Sequence, residues 1–321
     1  MPLDPIRPIS LDEILAARER IAGTIVRTPL LRLEQGGRRP DIWLKLENLQ
    51  PINAYKLRGA ANAVAMLSAE ERSRGVWTIS AGNAGQGVAY AARQAGVGCT
   101  VVAIETAPTA KLDRMRALGA RLVLVPFNDA WQAMEDRAYP GVEGTFIHPF
   151  DDDHFVAGHG SMGLEILEDL PEVAVVVASV GGGGLITGVG TAIKARRPSV
   201  RVIGVEPETA SPMAHSLAAG FPQEFPNWQA TFVDGAGGRG VFPRMWERMR
   251  PVIDDSVIVT LEETRRAMKT MAETCRVIAE GAGALPLAAA LAGKVGNEGP
   301  IVAVVSGGNI DLPKFFELIA G

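Results

Sequence analysis

A chain of 321 residues, 47% hydrophobic and 21% charged, has room for two domains of ordinary size. Its formal net charge of −4 leaves no basic footprint, so nucleic acid is not an expected partner. No apolar run is long enough to span a bilayer, and two cysteines, Cys99 and Cys275, supply neither a disulfide framework nor metal-ligand spacing.

The N-terminal stretch Met1 to Ser10 carries prolines and an aspartate rather than a basic-then-apolar leader, so a cytoplasmic protein is expected. Ser10 and Glu13 form a capping box that opens a helix with Leu11, Ile14, Leu15 and Ile21 as its apolar stripe, and Gly23 stops it. Ile42 to Leu46 reads as a strand leading toward Lys56. Strands and helices then alternate: strand Val76 to Ser80, helix Asn83 to Gln94, strand Thr100 to Ile104, and a helix ending at Gly119. Strand Arg121 to Val125, a helix around Trp131 to Arg137 and strand Thr145 to His148 complete this block. A second block begins near Asp151 with a helix, strand Val173 to Ala178, a glycine loop, another helix and strand Val202 to Val205. It closes with a helix capped by Thr260 and Glu263, a small-residue helix from Ala282 to Ala292, and strand Ile301 to Val305. This alternation predicts an α/β fold of two open, mostly parallel twisted sheets, flanked by helices and facing each other across a cleft. Ligands in such sheets bind at the carboxyl ends of strands.

Four loops carry chemistry-capable residues. In Asn53-Ala54-Tyr55-Lys56-Leu57-Arg58-Gly59 the lysine alone reads as a surface charge; its setting after a strand and beside an aromatic favours a desolvated, nucleophilic amine. Ser80-Ala81-Gly82-Asn83-Ala84 sits between a strand and a helix, where backbone N–H groups favour an anion, or where Asn83 simply caps the helix. Ser179-Val180-Gly181-Gly182-Gly183-Gly184 has four glycines whose entropic cost makes a mere turn a poor explanation; they let the chain wrap a phosphate at a helix N-terminus. Ser306-Gly307-Gly308-Asn309 ends a buried strand, and by itself is a weak signal.

Gly235, Gly237 and Gly240 match a dinucleotide-binding spacing, but Pro243 follows and no strand–turn–helix surrounds them, so a surface or interdomain loop is expected. His148, His154, His159 and His215 show no close helical pairing, and no metal centre is expected.

Together with the runs His148-Pro149-Phe150-Asp151-Asp152 and Glu280-Gly281-Ala282-Gly283-Ala284, these loops resemble the fold-type II pyridoxal-phosphate enzymes, of tryptophan synthase β type, in their serine/threonine dehydratase branch. The resemblance spans nearly the whole chain. It implies a large cofactor-binding domain over residues 1–50 and 152–321 and a small domain over 51–151, with the cofactor in the cleft between them. It implies that Lys56 holds pyridoxal 5'-phosphate as a Schiff base, with Tyr55 where relatives usually have phenylalanine. Asn83 would meet the cofactor 3'-oxygen, Gly181, Gly182, Gly183 and Gly184 its phosphate, and Ser306 its pyridine nitrogen, with Glu280 near the ring. Ser80, Ala81, Gly82, Asn83 and Ala84 would bind the substrate carboxylate. The implied reaction is β-elimination of a β-hydroxy-α-amino acid to a 2-oxo acid and ammonia, an ammonia-lyase activity. A homodimer is expected, since relatives are often dimers.

Departures from the family pattern bear on the substrate. Ala54 stands for the usual serine and Ala84 for the usual histidine, so a bulky or aromatic β-substituent, as in phenylserine, is expected. Ala81 replaces the serine that serves racemases. Glu206 and Ala210 match part of a cation site, but Pro212 occupies its acidic position. The chain ends soon after Ser306, so no effector domain is expected. Alternatives are a generic threonine/serine dehydratase, a serine racemase-like enzyme, a non-catalytic binding protein on the same scaffold, or a nicotinamide-dependent oxidoreductase resting on the Gly235 loop alone.

Overall fold

The computed structural model describes residues 5–34 and 40–320. Helix α1 (Leu11–Ile21) starts at the expected capping box: Ser10 Oγ accepts from the Glu13 N–H while the Glu13 carboxylate accepts from the Ser10 N–H. Strands β1 (Leu30–Arg32) and β2 (Ile42–Lys45) pair antiparallel. Helix α2 (Lys56–Ala65) and the short α3 (Ala69–Arg74) lead into the first block, where strands alternate with helices: β3 (Val76–Ile79), α4 (Asn83–Gln94), β4 (Cys99–Ile104), α5 (Thr109–Ala117), β5 (Arg121–Val125), α6 (Phe127–Asp136) and β6 (Thr145–Phe146). The second block has α7 (Asp153–Asp169), β7 (Val175–Ser179), α8 (Gly184–Arg196), β8 (Arg201–Pro207), α9 (Pro212–Ala219), α10 (Pro243–Met249) and β9 (Asp255–Val259). Helices α11 (Leu261–Thr270) and α12 (Gly281–Leu291), strand β10 (Ile301–Val304) and helix α13 (Leu312–Ile319) close the described chain.

The strands form two sheets. One has the order β1-β2-β10-β7-β8-β9, parallel except at its β1 edge; the other runs β5-β4-β3-β6 and is parallel throughout. Strands β3, β7 and β10 are buried along their whole length, as expected of parallel strands covered on both faces. The α/β architecture with two mostly parallel sheets is therefore as the sequence predicts. Strand β6 stops at Phe146, short of the expected His148, because the chain turns there: His148 Nδ1 accepts from the Asp151 N–H at 2.9 Å. No described helix is long and apolar enough to cross a membrane.

Helix α2 links the two blocks. It lies against α4 on one side and α7 on the other, and glycines allow the close approach. A Cβ on Gly87 of α4 would stand 3.2 Å from the Lys56 carbonyl, and one on Gly158 of α7 would collide with the Arg58 carbonyl. Arg58 is fully buried and bonds two carboxylates in forked geometry, Glu47 at 2.8 Å and Glu165 at 2.7 and 2.8 Å. Lys45, also fully buried, completes the island at 2.7 Å from Glu165. Two cations matched to two anions hold the start of α2 on the larger sheet.

Candidate active site

Lys56 is the first residue of α2, and backbone pairing fixes where that helix starts. The Tyr55 N–H donates to the Ser306 carbonyl at 2.9 Å, and the Gly308 N–H donates to the Asn53 carbonyl at 2.9 Å. Asn53 takes a left-handed conformation, φ 56°, to make this turn. The Lys56 loop and the Ser306 loop are thereby laced together, although some 250 residues of sequence separate them (306 − 56).

The half-buried Lys56 Nζ donates to the Pro149 carbonyl at 2.6 Å and lies 5.2 Å from the Tyr55 ring centre and 5.4 Å from that of Phe155. No described carboxylate is bonded to it. Burial therefore pulls its ammonium down to about 7, so a large share is neutral amine near neutral pH. His159, fully buried beside Tyr55 and Phe155, has no hydrogen-bond partner among the described residues. Burial, with Lys56 and Arg58 nearby, holds it neutral. His148 is likewise held neutral, pushed down to about 3 mainly by burial and then by Arg137.

Asn83 is the first residue of α4, but it does not cap that helix. The Gly82 N–H is taken by Ser80 Oγ at 3.0 Å, and the Asn83 amide reaches away, donating to Glu280 Oε1 at 2.7 Å. Its oxygen accepts from Asn309 Nδ2 at 2.7 Å, and Asn309 Oδ1 accepts from the Arg114 guanidinium at 2.6 Å. Burial, followed by the nearby Asp234 carboxylate, raises Glu280 to about 7. The N–H groups of Asn83, Ala84 and Gly85 donate to no described residue and stand at the N-terminus of a 12-residue helix, an arrangement suited to a carboxylate.

The glycine loop enters α8 through Gly183 at φ 88°. A Cβ on Gly181 would stand 2.9 Å from the Gly235 carbonyl, one on Gly183 2.5 Å from Met249 Sδ, and one on Gly182 would collide with the Phe150 ring. The Gly235 loop is thus packed onto this loop, with the Gly237 N–H donating to the Val180 carbonyl at 2.8 Å. That loop also reaches the smaller sheet's side, where Asp234 pairs with Lys111 of α5; Asp234, Gly235 and Arg239 are exposed, so the loop lies at the surface while bridging toward the smaller sheet. The N–H groups of Gly182, Gly183, Gly184 and Leu185 donate to no described residue and face the positive end of α8. Ser306 is buried, and its hydroxyl makes no hydrogen bond to another described residue.

Several expected site residues behave differently. Ala54 and Ala84 are buried among apolar neighbours, Ala54 with Ile52 and Leu57, Ala84 with Ala60 and Val88. Packing takes up the room their small size was expected to leave for substrate. Glu206 is committed within the protein: its carboxylate accepts from the Met213 and Ala214 N–H groups at 2.8 Å and from Ser256 Oγ at 3.1 Å. Among the described residues no cluster of three or more His, Cys, Asp or Glu side chains converges. Asn309, Arg114 and the Pro149 carbonyl join the site without any local sequence signal for their roles. A cavity of about 710 Å³ runs along the seam beside Glu280, Asn309, Arg114 and Lys111, but neither Lys56 nor the glycine loop lines it.

An unpaired set of N–H groups for an anion, a near-neutral buried amine and an unpartnered serine hydroxyl fit pyridoxal phosphate. Residues 21–307 match the family described as pyridoxal-phosphate dependent enzyme. The chain is 39% identical to the catabolic L-threonine dehydratase of Staphylococcus aureus (strain USA300) over 315 residues, covering 95% of this chain and 90% of that one. The structure of maize serine racemase is similar at a TM-score of 0.87 and 31% identity, covering 98% of both chains. That of the threonine deaminase from T.th. is similar at 0.82 and 34%, covering 94% of this chain and 99% of the other. The chain belongs to the pyridoxal-phosphate dependent enzymes of fold type II, in their serine/threonine dehydratase branch.

Proposed function

We propose that this enzyme eliminates the β-hydroxyl of a β-hydroxy-α-amino acid, yielding a 2-oxo acid and ammonia, and that it favours a bulky, apolar β-substituent such as the phenyl group of phenylserine. The observation that carries the reading is the Lys56 amine, near-neutral and held at 2.6 Å by the Pro149 carbonyl. The glycine loop Gly181 to Gly184 would hold the cofactor phosphate, Ser306 would meet its pyridine nitrogen and Asn83 its ring oxygen, with Glu280 and Tyr55 available to the ring. Bound there, pyridoxal phosphate supplies the electron sink that makes the substrate α-proton acidic. A hydroxyl at the pyridine nitrogen, in place of a carboxylate, suits an elimination in which the leaving group drains the charge.

The chain's own residues do the rest. The N–H groups of the segment Ser80 to Ala84 orient the substrate carboxylate at the head of α4. Lys56 Nζ takes the α-proton, which its lowered basicity permits near neutral pH. The β-hydroxyl departs with a proton as water. Hydrolysis of the released unsaturated amine consumes one water and frees ammonia, so the net reaction neither gains nor loses water. Ala81 offers no hydroxyl for returning a proton to the opposite face, which disfavours racemisation. We also place the small domain over residues 51–151, the large one over 1–50 and 152–321, and propose a cytoplasmic homodimer.

Comparing kcat/KM for phenylserine, threonine and serine tests the reading. Preference for phenylserine is expected; a clear preference for serine would overturn the bulky-substrate assignment, and no turnover of any of them would overturn the reaction.

A further inference from the structure

A second cavity, of about 210 Å³, lies where α6 meets the segment before α10. Met134 forms one wall and Phe242 with Pro243 another, while His148 and Phe150 stand on either side of Pro149. Pro149 ties this cavity to the site, since its carbonyl is the acceptor that holds Lys56 Nζ at 2.6 Å. Phe150 closes the tie from the other side, because its ring covers Gly182 of the phosphate loop.

The walls are aromatic in sequence. Ring centres are 4.5 Å apart for His148 and Phe150, 5.4 Å for Phe150 and Phe242, and 5.3 Å for Phe242 and Trp131. The Trp131 indole N–H is satisfied by Glu135 at 2.9 Å. Arg137 and Arg244, which border the cavity, are drawn to the Asp151 carboxylate at 2.5 and 2.8 Å. An apolar cavity of ~150 Å³ suffices to bind benzene. By volume a phenyl ring therefore fits here against Met134, Phe150 and Phe242, although Glu135, Asp151, Arg137 and Arg244 also line the cavity; a methyl group would leave most of the space unfilled. Phenyl edges and faces also pack well against rings 4.5–7 Å away, as a general rule.

We propose that this cavity receives the β-aryl group of the substrate, with Phe150, Phe242 and Met134 determining specificity. The proposal rests on the β-elimination reading above and locates its apolar preference beside Pro149, away from Ala54 and Ala84.

The test uses holoenzyme carrying Met134→Trp, which fills the cavity, or Met134→Ala, which enlarges it without added bulk. In the Trp variant the ratio of kcat/KM for phenylserine to that for threonine falls at least about tenfold. In the Ala variant the ratio for naphthylserine over phenylserine rises. L-Phenylalanine, which has no β-hydroxyl to lose, serves as a non-reacting probe, and its Kd by calorimetry weakens in the Trp variant. Equal losses on both substrates in the Trp variant, with unchanged ratios in the Ala variant, overturn the proposal and leave the β-elimination intact. If the wild type turns over no hydroxy amino acid but binds L-phenylalanine in a Met134-dependent way, the pocket stands and the reaction falls.

Discussion

Asn83 Nδ2 donates to Glu280 Oε1 at 2.7 Å, joining the head of α4 to the residue just before α12. Glu280 is held at about 7, chiefly by burial, so near neutral pH it is part acid and part carboxylate. The folded protein keeps this proton where the unfolded chain has released it. Stability attributable to Glu280 is therefore complete below about 4.5 and declines as pH rises to about 7. Glu280→Gln, which keeps an oxygen for Asn83, should flatten stability across that window in denaturant titrations. Glu280→Ala, which strands the buried amide, should cost about 1–3 kcal/mol.

Lys56 shows the opposite sign. Its folded value of about 7 lies below that of a free lysine, so the unfolded chain binds the extra proton between about 7 and 10.5. With the cofactor removed, the penalty from burying this amine is full below 7 and vanishes as pH approaches 10.5. The neutral amine is also the nucleophile. The rate at which cofactor-free protein captures pyridoxal phosphate should level off above about pH 7; a rate still climbing at pH 10 would show that the amine is not desolvated. Lys56→Ala should lower turnover on the order of 10⁴-fold and abolish fixation of the cofactor by borohydride.

Arg58 carries a structural burden two residues from that amine. Replacing it by methionine leaves Glu47 and Glu165 buried with only Lys45 as a close cation. A loss of about 3–5 kcal/mol is expected, read from the shift in urea midpoint. Arg58→Lys cannot fork to both carboxylates and should recover only part of it.

Gly182→Ala drives a methyl group into the Phe150 ring. Overpacking of this kind costs about 1–3 kcal/mol, and here it should also weaken cofactor affinity, because the ring and the loop must separate. The double variant Gly182→Ala with Phe150→Ala should recover part of that affinity. A double-mutant cycle showing simple additivity would mean that the clash is not the cause.

Features written in adjacent residues were legible in the sequence. The capping boxes Ser10/Glu13 and Thr260/Glu263 start helices as expected, and α4 begins at Asn83 and ends at Gln94. The box Ser68/Glu71 before α3 carries the same signal and could have been found with it. The two edge strands of the larger sheet were harder: β1 has only three residues, and in β9 only Ser256 and Val259 are buried, three apart, which breaks the period-two pattern of a strand. The role of Asn309 was not legible, since it depends on Arg114, Asn83 and Ile52 arriving from distant parts of the chain. Ala54 and Ala84 were read as empty space because a sequence shows the size of a residue but not which neighbour occupies the gap.

The glycine loop is moulded by protein before any anion arrives. Phe150, Met249 and the Gly235 carbonyl each take the place of a missing side chain, so the loop has little freedom left to lose. Cofactor capture at this end should therefore carry a small ordering entropy, with recognition resembling a key entering a finished lock. Calorimetry of phosphate alone binding to the cofactor-free protein would register this as association without a large unfavourable entropy of loop closure.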